Sequence, residues 1–304
     1  MVREAVSSLG SFYAWHRRRV VLWLTLVTAI VAVTVLHGAM PRWHMLPSFL
    51  DAMSVQALLA VFFAALLCEY VDSSLGMGYG TTLAPLLLIA GFEPLQIVPA
   101  VLFSELLTGL TAGALHHRDG NVDLLRDHRV RRTVVLLTVL SAVGAIIAAV
   151  VALNIPKHWF SLAIVVIVLG MGVLTLATAR RRIAYRAGSI ITVGLVAAFN
   201  KGLSGGGYGP LVTAGQVVSG MPAKHAVAIT SVAEAFTCLI GLAAYVILHR
   251  QIDWALAAPL TCGALLSVPM ATLTVKRLPE ALVRGAVGVL TVILGLVSLI
   301  KLLG

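Results

Sequence analysis

The sequence predicts an all-α integral membrane protein, a duplicated helical bundle with inverted repeats, each with a glycine-broken helix or a re-entrant hairpin. Three observations predict this fold: the scarcity of charge, the length of the apolar runs and an internal repeat. Charged residues make up 11% of the 304 residues and hydrophobic residues 60%, whereas a soluble domain carries about 25% charged residues. Such a chain has too few charges to cover a water-facing surface.

The apolar runs have the length of membrane-spanning helices. Val20–Leu36, Val134–Leu153 and Phe160–Ala179 contain no charged residue, and a helix needs roughly 20 apolar residues to cross a bilayer. A helix also satisfies its own backbone hydrogen bonds in lipid, and the alternating pattern of a membrane barrel is absent from the sequence. We expect helical segments at 20–37, 55–75, 81–91, 95–116, 133–153, 159–179, 189–200, 208–220, 222–248, 254–275 and 280–303.

The first apolar segment follows a basic stretch, Trp15–Arg19. It is longer than the apolar part of a signal peptide, and His37–Met40 is a poor cleavage site, so we expect an uncleaved first helix. The predicted organisation is an N-terminal cytoplasmic tail, extra transmembrane helix and outer loop over 1–54, a first transmembrane repeat over 55–186 and a second over 187–304.

Two of the apolar segments, 81–91 and 208–220, are too short to span a membrane, and each follows a glycine cluster. An offset of 129 residues aligns 76–112 with 205–241 without a gap and gives nine identities across 37 positions. About three identities would be expected by chance from average composition. Short, glycine-interrupted segments at matching places in two halves are typical of a transporter's binding site. The identical pairs are Gly76–Gly205, Gly78–Gly207, Tyr79–Tyr208, Gly80–Gly209, Gly91–Gly220, Val98–Val227, Glu105–Glu234, Thr108–Thr237 and Leu110–Leu239.

The distribution of Lys and Arg predicts the orientation of the repeats. The positive-inside rule places basic clusters in the cytoplasm, so residue 55 starts outside and residue 189 inside. Each repeat must then cross an odd number of times, either three crossings plus a re-entrant hairpin or five crossings. We therefore expect a multi-pass protein of the cell membrane with a cytoplasmic N-terminus. The basic clusters are the N-terminal tail, 117–132, 180–188 and 276–277.

The glycine clusters Asp72–Gly80 and Asn200–Gly209 are the candidate binding elements. Glycine permits sharp turns and lets a ligand approach bare backbone, and the amides that begin a half-helix favour anions. The alternative is that these glycines only permit close helix packing, but two clusters at equivalent places favour binding. Neither cluster has the spacing or lysine of a nucleotide loop. The predicted substrate-binding residues are Ser73, Gly76, Gly78, Tyr79, Gly80, Lys201, Ser204, Gly205, Gly206, Gly207, Tyr208 and Gly209.

Charged residues inside or at the edge of the apolar bundle are candidates for function, because they are costly in lipid. Asp72 and Lys201 are equivalent under the offset, so we expect them to pair or Lys201 to hold an anion. Glu105 and Glu234 are likewise equivalent and are candidates for proton coupling. The alternative is buried structural hydrogen bonding. Glu69 completes the set.

No enzyme, metal site or cofactor is expected. The three cysteines lie in apolar segments without C-x-x-C spacing, which excludes the usual zinc and disulfide patterns. His116 and His117 are followed by Asp119, but at the membrane interface, and we expect them to be surface residues. No nucleophile motif is present. The net charge of +10 is expected to lie in cytoplasmic loops. We do not expect it to bind nucleic acid.

The sequence resembles the TauE/SafE family, often called sulfite exporters, over about residues 55–303. Met77 and Tyr79 stand where the family commonly has small residues, which bears on the identity of the substrate. The resemblance is carried by Asp72–Gly80, Pro85–Leu88, Gly91–Pro94, Ser104 and Glu105 in the first copy, and by Gly205–Gly207, Ser231 and Glu234 in the second.

The resemblance implies export or uptake of small sulfur-containing anions, with coupling to the proton gradient. We therefore expect a secondary transporter of small anions, sulfite or an organosulfonate. The alternatives are a channel or carrier for another solute, such as a metal cation, or a non-transporting membrane sensor. The expected partners are a small anionic substrate and the lipid bilayer, with no nucleic acid, and a homodimer is left open.

Overall fold

The computed structural model describes residues 2–39, 46–178, 189–218, 221–249, 251–274 and 280–303. These residues form helices and no strand, and eight of their helices are long and apolar enough to cross a membrane. The predicted helical membrane fold is thus confirmed. The α-helices are α1 (Val2–Ala39), α2 (Val55–Leu75), α3 (Tyr79–Ala90), α4 (Pro94–Arg118), α5 (His128–Asn154), α6 (Lys157–Thr178), α7 (Ser189–Ser204), α8 (Tyr208–Val218), α9 (Ala223–His249), α10 (Trp254–Thr274) and α11 (Glu280–Leu303).

Each expected apolar segment corresponds to one of these helices, with shifts of a few residues at most ends. The exception is α1, which begins at Val2 and so includes the basic stretch that precedes its apolar part. The basic clusters at 180–188 and 276–277, the repeat boundary at 186–187 and Gly220 lie outside the described residues.

The chain divides into two compact units, residues 1–60 and 61–304. In the first unit a short 3₁₀ helix, Ser48–Ala52, lies between α1 and α2. His37 near the end of α1 and Asp51 of the 3₁₀ helix lie 3.0 Å apart, Nε2 to Oδ1. The apolar part of α1 leaves large side chains such as Leu22 exposed, as expected of a helix that faces lipid.

The second unit begins within α2 and contains the rest of the two repeats. These repeats, α2–α6 and α7–α11, have the same order of long and short helices. Helix α4 packs on α9 and α10, and α9 packs on α4 and α5. Because α5 and α10 occupy the same place in the two repeats, the α4–α10 and α9–α5 contacts are equivalent. A twofold relation between the repeats requires such reciprocal contacts, while their opposite orientation in the membrane stays a prediction.

Candidate transport site

Each repeat contains a turn in which one helix ends and a shorter one begins. In the first turn Gly76 and Gly78 have φ angles of 69° and 131°, and in the second Gly205 and Gly207 have φ angles of 73° and 83°. Positive φ is accessible to glycine but strains residues with a Cβ atom. These four glycines therefore let the chain leave α2 or α7 and start α3 or α8, whose first amides have no partner within the helix.

The two turns lie against each other, backbone to backbone. A Cβ atom on Gly80 would lie 1.7 Å from the carbonyl oxygen of Gly205, and one on Gly209 would lie 2.1 Å from that of Gly76. These two contacts exchange under the 129-residue offset, as a twofold relation requires. A Cβ atom on Gly206 would also lie 2.6 Å from the carbonyl carbon of Gly80. Gly80, Gly206 and Gly209 thus have a packing role, whatever their part in binding.

The side chain of Lys201, in the last turn of α7, lies between glutamates of α4 and α9. Its ammonium group donates a hydrogen bond to the Glu105 carboxylate, and its Nζ lies 2.8 Å from Oε1 of Glu234. Lys201 is fully buried, and the glutamates are 3% and 5% exposed. Helices α4 and α9 approach closely here, because a Cβ atom on Gly109 would lie 2.9 Å from that of Ala235. We call these three charged residues the lysine cluster.

The expected pairing of Asp72 with Lys201 is wrong. Among the described residues, the ion-pair partners of Lys201 are the two glutamates. Oδ1 of Asp72 instead accepts a hydrogen bond of 3.2 Å from the backbone N–H of Tyr79. Asp72 lies one helical turn before Gly76, and the break in the chain brings the first amide of α3 within its reach. The positive end of the α3 dipole favours a carboxylate there.

The tyrosines of the two turns are fully buried, and their hydroxyl groups contact serines of neighbouring helices. The hydroxyl oxygens of Tyr79 and Ser104 lie 2.8 Å apart, and those of Tyr208 and Ser141 lie 3.3 Å apart. Each tyrosine thereby ties the start of a short helix to a long one, α3 to α4 and α8 to α5.

Ser204 and Asn200 surround the second turn. The hydroxyl of Ser204 accepts a hydrogen bond of 3.1 Å from the N–H of Gly206 and donates one of 2.8 Å to the carbonyl oxygen of Asn200. A Cβ atom on Gly207 would lie 3.2 Å from the Cβ of Asn200, so the amide side chain lies alongside the turn. The second turn is therefore lined by neutral polar groups.

Ser73, predicted to bind substrate, contacts a carboxyl group that the sequence left without a role. Its hydroxyl donates a hydrogen bond of 2.6 Å to Oε1 of Glu69. Oε2 of Glu69 is buried and has no hydrogen-bond partner among the described residues. Within the same residues, no three His, Cys, Asp or Glu side chains are arranged to hold a metal ion.

His116 is fully buried, so the prediction that it lies at the surface is wrong. Its Nε2 lies 3.1 Å from the carbonyl oxygen of Ser73, and its Nδ1 lies 3.0 Å from Nδ2 of Asn121. Tyr245 occupies the equivalent position in the second repeat and donates to the carbonyl oxygen of Gly202, the equivalent of Ser73. Each side chain satisfies a carbonyl group left free at the end of α2 or α7.

One sequence signal could have identified His116. It follows Glu105 by three helical turns on one face of α4, the face that the buried glutamate defines. Its equivalence to Tyr245 under the offset is the second indication, since both residue types carry a polar group on a bulky ring.

The structure contains a cavity of about 360 Å³ where α5 and α9 begin and α8 ends. A second cavity, of about 200 Å³, lies where α3 ends and α4 and α6 begin. The larger cavity is lined by Arg129, Gln216 and His225 among others, and the smaller by Lys157 and Lys301 among others. Basic side chains therefore line both cavities.

Polar side chains connect the larger cavity with the first turn. Nε2 of Gln216 donates a hydrogen bond of 2.9 Å to Oγ1 of Thr230, and the Oγ1 atoms of Thr230 and Thr213 lie 2.9 Å apart. The hydroxyl of Thr213 lies 2.8 Å from the carbonyl oxygen of Gly76 and can donate to it. A continuous line of polar atoms thus runs from the cavity to the glycine turns.

Comparison with known proteins agrees with this architecture. The chain matches the family model described as sulfite exporter TauE/SafE over residues 61–298, a range that includes both turns and the lysine cluster. It is similar to the probable membrane transporter protein YtnM of Bacillus subtilis (strain 168), with 26% identity over 248 residues, 77% of this chain and 80% of the relative. No solved structure gives a significant match. The chain therefore belongs to the sulfite exporter TauE/SafE family of multi-pass membrane transporters.

Proposed function

We propose that the chain is a secondary transporter of small anions, with sulfite or an organosulfonate as substrate and protons as the coupling ion. The observation that carries the proposal is the buried Lys201 between Glu105 and Glu234, directly before the second glycine turn. A buried charge without a partner is costly in a membrane. A lysine whose partners can be neutralised by protons is therefore suited to bind an anion in exchange.

The charges of the lysine cluster explain how proton uptake and anion binding would be coupled. Two carboxylates and one ammonium group carry one negative charge in excess, and this excess opposes an incoming anion. When one glutamate takes up a proton, the excess is removed, and when both do, the ammonium group needs a new anionic partner. Substrate anion and protons would then enter the cluster together.

The second turn is the more favourable place for the anion. The first amide of α3 already holds the carboxylate of Asp72, whereas the turn before α8 is lined by Asn200 and Ser204. The amides of Gly207 and Tyr208 begin α8 close to Lys201 in sequence, and a helix N-terminus favours an anion. The other predicted binding residues stay part of the proposed site: Ser73, Gly76, Gly78, Tyr79, Gly80, Gly205, Gly206 and Gly209.

The larger cavity is the proposed aqueous approach to this site. Its lining includes Arg129 and His225, which suit an anion, beside one acidic residue, Asp127. Gln216 connects the cavity through threonines to the first turn. The turns themselves are buried and in contact, so substrate would reach them when the two turns separate. The two turns are equivalent elements of two repeats. Movement of one repeat against the other is the usual way in which such transporters open their site to one side of the membrane and then to the other.

The proposed orientation places the N-terminus in the cytoplasm, residue 119 inside and residue 157 outside the cell membrane. Single cysteines at Asp119 and Lys157 should then react with an impermeant thiol reagent from opposite faces. The native Cys68, Cys238 and Cys262 would be replaced by serine beforehand, since Cys262 is exposed. Reaction of both positions from one face would overturn the inverted arrangement.

The decisive test of the proposed function is flux in proteoliposomes. Purified protein would be reconstituted and the uptake of labelled sulfite, sulfate and a sulfonate measured with and without a pH gradient. We expect uptake of at least one of these anions, and accumulation against its own gradient only when the pH gradient is present. The proposal includes no enzymatic step and no cofactor, so no cofactor is added to the flux assay.

The matched control for this assay is a lysine that lies outside the cluster. Lys157 is exposed and paired with Glu93, so Lys157→Met should transport like the parent, whereas Lys201→Met should not. Cation flux without movement of any of the three anions would favour a cation carrier instead. Movement of no solute by correctly folded protein would favour a membrane sensor.

A further inference from the structure

Glu69 is a buried carboxyl group outside the lysine cluster. It lies on α2, is 2% exposed and accepts a hydrogen bond from Ser73 at Oε1. Its other oxygen is buried and has no partner among the described residues. An ionised carboxylate left in this condition would be destabilised, because each oxygen of the charged form needs hydrogen-bond donors.

The charged groups around Glu69 do not favour its ionised form. Asp72 on α2 and Glu234 on α9 both act on it as negative charges, and the hydroxyl of Thr108 on α4 is a neutral hydrogen-bond donor that offsets them only in part. The buried cation of this region, Lys201, is already held by two glutamates. Within the described part of the chain, Glu69 therefore lies among carboxyl groups without a cation of its own.

His116, which packs nearby against Ser73, does not supply that cation. Nδ2 of Asn121 donates to its Nδ1 and also to the carbonyl oxygen of Thr272. His116 Nδ1 must then accept, so its Nε2 carries the hydrogen that is donated to the Ser73 carbonyl. This arrangement is the neutral form of the imidazole. The ring holds Ser73 in place but adds no positive charge.

The arrangement exists in one repeat only. Under the 129-residue offset, Glu69 corresponds to Ala198, Ser73 to Gly202 and His116 to Tyr245. The second repeat thus keeps the capping contact, through the Tyr245 hydroxyl, but has neither the carboxyl group nor the serine. Packing in the second repeat shows that the fold does not require a carboxyl group at this place.

We propose that Glu69 is a proton-binding site of the transport cycle, occupied by one proton in this conformation and positioned by Ser73. It rests on the proposed function, because the bound proton is the coupling ion of anion transport. Loading converts the carboxylate to the neutral acid by adding one proton to a carboxyl oxygen, and unloading returns that proton to water. The lysine cluster binds the anion, and Glu69 carries a proton beside it.

The test combines infrared difference spectroscopy with flux, both on the full chain in lipid. A protonated buried carboxylic acid has a C=O stretching band separate from that of carboxylates. We expect this band at neutral pH in the parent, its loss in Glu69→Gln and its persistence in Glu93→Gln, since Glu93 is exposed. Ser73→Ala should keep the band but move it to higher frequency, because the donated hydrogen bond is lost. An unchanged band in Glu69→Gln would overturn the proposal.

Flux separates this inference from the proposed function. With labelled sulfite as the probe, Glu69→Gln should still exchange sulfite down its gradient. It should accumulate less sulfite than the parent at the same pH gradient, because one proton fewer accompanies each anion. Full pH-driven accumulation by Glu69→Gln would overturn the proton site while leaving anion transport intact. No sulfite, sulfate or sulfonate flux in the parent, with the Glu69 band present, would overturn the proposed function and leave the proton site standing.

Discussion

The two glycine turns have similar backbones, but the residues one helical turn before them, Asp72 and Lys201, have opposite charges. Each turn contains two glycines with positive φ and is followed by a short helix that starts at a tyrosine. In each, a side chain of α4 or α9 also binds a carbonyl oxygen at the end of the preceding helix. Asp72 lies four residues before Gly76 of the first turn, and the equivalent residue, four before Gly205 of the second turn, is Lys201. At the first turn the Asp72 carboxylate accepts from the first amide of the short helix, and beside the second turn lies the buried cation Lys201.

This difference distinguishes the residues that pack the two turns together from the charged residues beside the turns. Backbone contact between the turns depends on Gly80 and Gly209, which meet Gly205 and Gly76, and each of these positions is glycine in both copies. Gly206 is the exception, since its equivalent is Met77. The charges beside the turns differ between the two copies, and the proposed anion site needs a cation at one turn only. The following predictions test that separation, in order of expected effect.

The largest effect is expected where the turns touch. Gly80→Ala would place a Cβ atom 1.7 Å from the carbonyl oxygen of Gly205, and backbone on both sides leaves no flexible side chain to yield. We expect a loss of about 5 kcal/mol or more in the free energy of unfolding, enough to prevent folding. Size-exclusion profiles and thermal melts in detergent measure it.

Gly170→Ala is the matched control, because Gly170 also lies within a helix but has no atom within 4 Å of the added Cβ. It should fold at least as well as the parent. A stable Gly80→Ala protein would show that the two turns are not packed together in the membrane.

The next effect concerns the lysine cluster. Lys201→Met leaves Glu105 and Glu234 buried without a cation, and breaking a buried ion pair costs about 3–5 kcal/mol. The exposed Lys157→Met, which removes the pair with Glu93, should cost at most about 1 kcal/mol. Thermal melts of the two variants give the comparison.

Two further measurements identify the cause of the Lys201 effect. The stability of Lys201→Met should rise as the pH falls, because protons then neutralise the two glutamates. Adding Glu105→Gln and Glu234→Gln to Lys201→Met should recover part of the stability at neutral pH. Equal stability of Lys201→Met and Lys157→Met would rule out a charged cluster.

The sequence predicted the helices and the turns because both depend on local composition. Apolar length defines a membrane helix, and a glycine cluster followed by a short apolar segment defines a broken one. The repeat relates Glu105 to Glu234, and in the structure both glutamates pair with Lys201. These predictions do not depend on which helices pack together or on how closely they cross.

The contacts of Lys201 and His116 could not be predicted in the same way. The offset shows that Asp72 and Lys201 are equivalent, but which carboxylate the lysine reaches depends on the close crossing of α4 and α9. His116 lies near the end of α4, where sequence position suggests a surface, and it is buried because Asn121 and the end of α2 cover it. The sequence also could not separate glycines that pack, such as Gly80, from those that only turn the chain.

A smaller effect is expected at the first turn. Asp72→Asn keeps an oxygen that can accept from the Tyr79 amide but removes the charge at the N-terminus of α3. The lost interaction with the helix dipole is opposed by relief of the repulsion from the carboxyl groups of Glu69 and Glu234, so the stability should change by at most about 1 kcal/mol. The variant should also gain in stabilisation by sulfite, because an anion no longer competes with the Asp72 carboxylate for that helix end. Melts with and without sulfite measure both effects. An unchanged response to sulfite would show that Asp72 does not compete with the anion.

The smallest effect on the sulfite response is expected at the cap of the second turn. Tyr245→Phe removes only the hydroxyl that donates a hydrogen bond of 2.9 Å to the carbonyl oxygen of Gly202, so the ring continues to fill its place. A buried carbonyl without its donor costs about 1–2 kcal/mol. Tyr70→Phe is the matched control, since that hydroxyl contacts Thr274 at 2.8 Å in a partly buried position where water can replace it. Thermal melts should show the larger loss for Tyr245→Phe, with no change in the sulfite response of either variant. An equal or larger loss for Tyr70→Phe would show that the second turn is held by its glycine packing and not by the tyrosine cap.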